Sequence, residues 1–332
     1  MPHVSVRDAP PPTPRWRAWL GRAAQLGASA VVLGLLARDV DPSELARIQH
    51  RLAPGWLGLA LLVKTFTLYL HEQRLWLAFN PPRPPLGRVL AIGLAAGVLN
   101  LVLPGRAGDL ASIAMLKREC GVRVGAATAA VGIASFLEAA VFGVLLLAVL
   151  ALGASRWQDV IGAEAHGQAM QWVTVATLGG VAVAAASAVI GRRLRPEPEP
   201  AGPSPLAIIR ETLRQASHSF ATLPALTMNV GLAVVQVVGM VGAFALAFPA
   251  VGLDIPLPML AAAGVLAISS VASIVLPPSF GASPAAASVA VLAAFGVDQA
   301  DALAYAVAWW LVSQVPATVL GLPCLWGRRW RS

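Results

Sequence analysis

Apolar residues run in long stretches along this chain and are broken at intervals by short basic or proline-rich segments. A helix needs about 20 predominantly apolar residues to cross a bilayer. Six stretches come near or exceed that length, at 20–37, 55–78, 124–152, 171–191, 224–249 and 301–323. Two others are interrupted. In 88–119 an arm from Leu90 to Leu103 meets Pro104-Gly105, and a second arm runs from Ala107 to Met115 before Lys117-Arg118. In 257–296 the arm Leu257–Leu276 meets Pro277-Pro278-Ser279-Phe280-Gly281, and a second arm follows from Ser283-Pro284. At about 1.5 Å per residue, Leu90–Leu103 reaches roughly 21 Å, short of a hydrocarbon core about 30 Å thick. The pattern predicts an all-α polytopic membrane protein with about six full transmembrane helices plus two re-entrant helical hairpins.

Composition agrees: 57% of the 332 residues are hydrophobic and 12% charged, about half the charged share of a soluble domain. Cys120 and Cys324 form no C-x-x-C pair and have no metal-ligand spacing to a histidine, so neither a metal nor a cofactor is expected. The net charge of +8 sits in short connections between apolar runs, which points to lipid headgroups and excludes a nucleic-acid partner. With the N-terminus inside, and both hairpins returning to the side they entered, 18 of the 24 lysines and arginines fall on the cytoplasmic side. That distribution obeys the positive-inside rule and puts both termini in the cytoplasm, for a multi-pass protein of the cell inner (cytoplasmic) membrane. The expected layout is a cytoplasmic tail at 1–19, one transmembrane domain at 20–325 with a proline-rich cytoplasmic linker at 192–205, and a basic tail at 326–332. Met1–Pro14 is too long and too weakly basic for the start of a cleaved signal, so 20–37 reads as a retained helix. Residues 206–222 are amphipathic, with Leu206, Ile209, Leu213 and Phe220 interleaved with Arg210, Glu211 and Arg214, which suits a helix on the inner membrane surface as well as an ordinary solvated connector.

The same topology makes the first hairpin open to the cytoplasm and the second to the outside. Their sequences also align: Leu-Pro with Leu-Pro, Gly108 with Gly281, Gly121-Val122 with Gly296-Val297, each followed by a full span. Similar units at about 88–152 and 257–323 in opposite orientations form the inverted-repeat arrangement of secondary transporters.

The sharpest chemical feature is the break Pro104-Gly105-Arg106-Ala107-Gly108-Asp109. A helix starting inside a membrane presents unpaired N–H groups and a positive dipole end, which suit an anion. Arg106 adds a planar donor for phosphate oxygens, and Asp109, three residues on, can pair with it. Charge at this depth costs roughly 2.5–3.5 kcal/mol per group, which favours a ligand role over a pair that only pins the hairpin. In the second hairpin Ser283-Pro284 reads as a helix cap followed by proline at the first helical position. Glu138 stands mid-span, where it can carry a proton, meet Arg106, or serve as a hydrogen-bonded packing acid. Lys64 is expected to snorkel. His71, Glu72 and Arg74 are expected to be interfacial anchors, Trp309-Trp310 to pack or belt, and Asp298 and Asp301 to solvate an outer loop. The expected headgroup site is thus Gly105, Arg106, Gly108, Asp109, Glu138 and Ser283, with breaks at Pro104, Pro277, Pro278 and Gly281. No nucleophile elbow, zinc-protease motif or Walker A is present, so an enzyme is not expected.

The run Leu103-Pro-Gly-Arg-Ala-Gly-Asp109, then Gly121-Val122, Glu138, Leu276-Pro, Gly281, Gly296-Val297 and Ala304, together with HEQRLWLAF at 71–79, resembles the lysylphosphatidylglycerol synthase transmembrane region family, also called the flippase-like integral membrane family. The resemblance covers about 20–325 and implies a stand-alone member without the aminoacyl-transferase domain, including the type found in hopanoid gene clusters. It implies a flippase-like lipid transporter for a lipid with a polar or anionic head: a phospholipid, polyprenyl-phosphate or hopanoid. The alternatives are an accessory protein that scaffolds a lipid-modifying enzyme, or a membrane-embedded enzyme acting on a lipid phosphate. Two departures stand out. Ala139 and Phe142 occupy positions where the family often has arginine and aspartate, and Gly281-Ala-Ser-Pro-Ala285 replaces its Gly-Gly and glutamate. They imply a reduced ion-pair network between the repeats and a less charged substrate.

Overall fold

The computed structural model describes Gly27, residues 30–36, Arg38, and residues 50–102, 107–194, 205–221, 223–272 and 281–329. Every regular element among them is helical: α1 Pro54–Leu77, α2 Leu86–Val102, α3 Ala107–Cys120, α4 Val124–Leu152, α5 Ala154–Ile161, α6 Ala163–Arg193, α7 Pro205–Ala221, α8 Leu223–Ala245, α9 Ala247–Ala250, α10 Pro258–Ala272, α11 Ala282–Leu292 and α12 Gln299–Arg329. A 3-10 turn, Ala293–Phe295, prolongs α11.

Four helical stretches among the described residues are long and apolar enough to cross a membrane: Val124–Leu152, Ala163–Arg193, Pro224–Ala250 and Gln299–Trp326. Helix α1 has 24 residues, about 36 Å at the helical rise, but carries Lys64, Glu72 and Arg74 along its length. It starts at Pro54, where the missing N–H and preset φ cost a helix nothing. Of the stretch expected at 20–37, residues 30–36 are helical. Helix α6 begins at Ala163, eight residues before the expected span, and none of its most apolar window is buried within the protein. Its buried residues, His166 and Gly191, lie at its two ends.

The arms of the interrupted segments are short: 17 residues in α2, 14 in α3, 15 in α10 and 11 in α11. At the helical rise each spans at most about 26 Å, less than the hydrocarbon core. The breaks themselves, Pro104, Gly105, Arg106, Pro277 and Pro278, lie outside the described residues.

Two halves are organised alike. Helix α2 packs on α3 and α10 on α11, while α1 precedes one pair and α8 the other. Helices α1 and α8 lie side by side and run in opposite directions: Ala53 N–H donates to Ala250 O at 2.9 Å at one end, and Arg74 Nε donates to Asn229 Oδ1 at 3.1 Å at the other. Both second arms end on glycines in the left-handed region, Gly121 at φ 66° and Gly296 at φ 72°. Each is followed by a valine N–H that bonds back into the arm, Val122 to Leu116 O at 3.4 Å and Val297 to Leu292 O at 3.2 Å, which satisfies a carbonyl at the helix end. Gly108 and Gly281, aligned in sequence, differ: Gly108 is helical within α3, whereas Gly281 precedes α11 at φ 75°.

One buried cluster gathers Phe244, Phe248, Leu260, Val291, Leu292, Tyr305 and Trp309 around α8 to α12. The other gathers Leu75, Phe79, Val89, Ile92, Leu116, Ile133 and Leu137 around α1 to α4. Trp309 packs rather than belts, stacked on Phe244 at 4.5 Å between ring centroids. Asp298 is exposed, as expected, and also caps α12: its Oδ1 accepts from Asp301 N–H at 2.9 Å, the bond that satisfies a free donor in the first turn. Asp301 also meets Arg51 at 3.8 Å. Helix α7 packs with its polar side inward: Glu211 bonds Arg214 at 3.0 Å and Arg123 at 3.1 Å, Gln215 and Ser217 are buried, and Leu206 and Ile209 are 78% and 55% exposed.

Candidate functional site

Arg74 is the largest fully buried side chain in the described protein. Its position on the last turn of α1 puts it between α4 and α8, and every branch of its guanidinium is used. Nε donates to Asn229 Oδ1 at 3.1 Å, Nη1 to Gln236 Oε1 at 2.6 Å, and Nη2 to the Ala134 carbonyl at 2.7 Å. Asn229 Nδ2 returns a bond to the Arg74 carbonyl at 3.3 Å. Burying a guanidinium is tolerable only with such complete pairing, so Arg74 is not an interfacial anchor. It is the hub that ties α1, α4 and α8 together.

Glu138 is the counter-charge. Its Oε2 lies 3.7 Å from Arg74 Nη1, 3.0 Å from His71 Nδ1, and accepts from Gln236 Nε2 at 2.9 Å. Of the roles open to it in sequence, the hydrogen-bonded one is present, with its partners on two other helices. The cluster joins α1, α4 and α8, with Arg74 and His71 supplied by α1 and the amide Gln236 by α8.

Against this cluster lies a cavity of about 250 Å³ walled by α1, α2, α3, α4 and α8, with Ala317 of α12 closing it. Its polar lining includes Lys64, His71, Glu72, Asn100, Asp109, Glu138 and Gln236, with the hydroxyls of Thr67, Ser112 and Ser135. Asn100 holds the start of α3 in place: its Nδ2 donates to Asp109 Oδ1 at 2.9 Å and its Oδ1 accepts from Gly108 N–H at 2.7 Å. Gly108 is small because it must be, since a Cβ there would run into the Ala96 carbonyl and Asn100. Lys64 does not snorkel to the surface; it lines the cavity, with Nζ 5.6 Å from the Phe244 ring centroid. On the other side of Glu138 a second cavity of about 170 Å³ reaches Leu266 and Ser270 of α10, and Ser135, Glu138 and Met240 belong to the walls of both.

The structure therefore brings Asp109 and Glu138 to one cavity, with Gly108 behind Asp109. Ser283 is fully buried in the first turn of α11 but does not line that cavity. Gly105 and Arg106 lie outside the described residues. Sequence reasoning missed Glu72, His71, Arg74, Asn100, Asn229 and Gln236. The signal for the first three was present in "HEQR", three ionisable groups near the end of an apolar helix. The amides carried none, because a lone Asn or Gln in a membrane helix is as often packing as function.

A family model described as the lysylphosphatidylglycerol synthase TM region matches residues 22–321. No curated protein matches the chain.

Proposed function

The chain belongs to the lysylphosphatidylglycerol synthase TM region family, a family of integral membrane proteins related to lipid handling, and we propose that it is a lipid transporter of the flippase type. The observation that carries this reading is the polar cavity walled by the first hairpin, separated by Glu138 alone among its acids from a second cavity that reaches α10. A lipid head enters the polar cavity while its tails stay among the exposed apolar residues outside, such as Leu62 and Phe66 of α1 and Leu110 of α3.

Two further features support the reading. The short arms of α2–α3 and α10–α11 suit re-entrant hairpins, and the opposite courses of α1 and α8, each preceding one hairpin, suit an inverted repeat. In transporters so built, substrate sites lie near the bilayer midplane at the repeat interface. With six spans and both hairpins re-entrant, both termini lie in the cytoplasm and the protein sits in the cytoplasmic membrane. The lining favours a head rich in hydrogen-bond donors, since Glu72, Asp109 and Glu138 all face the space. Arg106 stands three residues before Asp109 at the break and is the group offered to a phosphate.

The test is reconstitution. In liposomes carrying fluorescent phosphatidylglycerol or phosphatidylethanolamine, the protein speeds the movement of labelled lipid between leaflets, read as the fraction quenched by external dithionite, and the lipid is recovered chemically unchanged. Glu138→Gln slows it about tenfold. Folded protein that moves neither lipid faster than empty liposomes do overturns the proposal.

A further inference from the structure

Glu72 differs from the other acids of the cavity. It is 6% exposed, and its Oε2 is fully buried with no hydrogen-bond partner among the described residues. Arg74, two residues along α1, is turned away from it, its donors taken by Asn229, Gln236 and Ala134. Glu138 has the Arg74, His71 and Gln236 contacts, and Asp109 has Asn100. Helix α2 makes room for the carboxyl group at Gly93, where any Cβ would overlap it. Of the charged and titratable groups facing Glu72, α1 contributes Lys64 and His71, α3 contributes Asp109 and α4 contributes Glu138; α2 and α8 present the amides Asn100 and Gln236.

A carboxylate deep in a membrane protein is expensive unless paired, and the neutral acid is the form that such a site holds without a partner. We propose that Glu72 is a proton-exchanging site of the cavity, which couples the passage of the lipid head to a proton. The step balances simply: hydronium gives a proton to the Glu72 carboxylate and leaves water, the resulting O–H donates to an acceptor on the lipid head or a cavity water, and the proton returns to water when the carboxyl is next exposed. This deepens the transport reading and rests on it for the coupling, but proton exchange at Glu72 can be read without transport.

Two measurements separate the two claims. Dicyclohexylcarbodiimide modifies protonated carboxyls in apolar surroundings. With the full-length protein in nanodiscs, peptide mass mapping should find the adduct on Glu72, several-fold more at pH 6 than at pH 9, and little on Glu138. No adduct on Glu72 at either pH, with adducts elsewhere, overturns the proton site. In proteoliposomes with fluorescent phosphatidylglycerol, an imposed pH gradient should change the rate of the wild-type protein several-fold, while Glu72→Gln moves the lipid at one rate whatever the gradient. Gly93→Ala, which displaces the carboxyl and leaves it in the protein, should also lose the gradient response while its thermal unfolding stays close to that of the wild type. If Glu72 is labelled but no lipid moves, the proton site stands and the transport reading falls. If lipid moves without either labelling or a gradient response, transport stands and the proton site falls.

Discussion

The two halves of the molecule share an order of helices and differ in what fills the space between them. Around α1 and α4 the interior is polar: Arg74, Glu138, His71 and Gln236 form one connected set, and the hairpin α2–α3 adds Asn100 and Asp109. Around α10 to α12 the interior is aromatic and apolar. Phe244 stacks on Trp309 at 4.5 Å and Phe248 on Tyr305 at 4.0 Å, and Tyr305 Oη donates to the Phe244 carbonyl at 3.2 Å. The meeting element is α8, which gives its first turns to the polar cluster through Asn229 and Gln236 and its last to the aromatic one through Phe244. The polar contacts thus gather on one side of the molecule and the aromatic packing on the other. The first is held by a few directional bonds and the second by many weak contacts, so substitutions in the two should fail differently.

The largest effect is expected at Arg74. Arg74→Met leaves the half-buried Glu138 without its guanidinium and frees two amide oxygens and a carbonyl, and breaking a buried pair from one side costs about 3–5 kcal/mol, an upper bound where one partner is partly exposed. Thermal unfolding in detergent should show it as the largest fall of any single change here. Arg74→Lys should recover part of the stability but not the wild-type value, because an ammonium cannot reproduce a fork directed at α4 and α8 together. Equal stability of Met and Lys variants would show that packing alone matters.

Trp309→Ala is the counterpart in the aromatic half. Removing a buried tryptophan costs about 3 kcal/mol or more, yet lipid movement per folded molecule should persist, because Trp309 lines neither cavity. A variant that remains folded but transports nothing would erase the division between the halves. Asn100→Ala comes next, at about 2 kcal/mol, since two bonds to the start of α3 are lost and Asp109 is left with a donor fewer. It should also lower transport, which distinguishes it from the tryptophan change.

Much of the architecture was legible in the chain. Apolar runs located α4, α6, α8 and α12, and the aligned Gly121-Val122 and Gly296-Val297 pairs prove to be where both second arms stop. Glycine at a left-handed helix end is a local requirement, and local requirements are what a sequence displays. Asp109 and Glu138 were legible for a related reason, since a charge inside an apolar run costs too much to be idle. Arg74 and Glu72 were misplaced because they stand near the end of a helix, where charge is cheap if the end reaches water. Only tertiary packing, with α4 and α8 closing over that end, makes them buried. Asn229 and Gln236 were invisible because their role depends on partners 155 and 162 residues away.

The smallest effect is the most direct probe of the likeness between the halves. Gly121 and Gly296 have φ of 66° and 72°, and a Cβ at either would meet nothing within 4 Å. Alanine at each position is therefore penalised by backbone conformation alone, about 1 kcal/mol for one residue forced into the left-handed region. Gly121→Ala and Gly296→Ala should lower thermal stability by the same amount within a few tenths of a kcal/mol, and the double variant should sum them, because distant independent sites add. Gly132→Ala in α4, where a Cβ also meets nothing within 4 Å but the backbone is helical, should be neutral or slightly stabilising. Unequal costs at Gly121 and Gly296 would mean that one arm is anchored by something beyond its glycine turn, and the two hairpins would then share an outline without sharing the way they end.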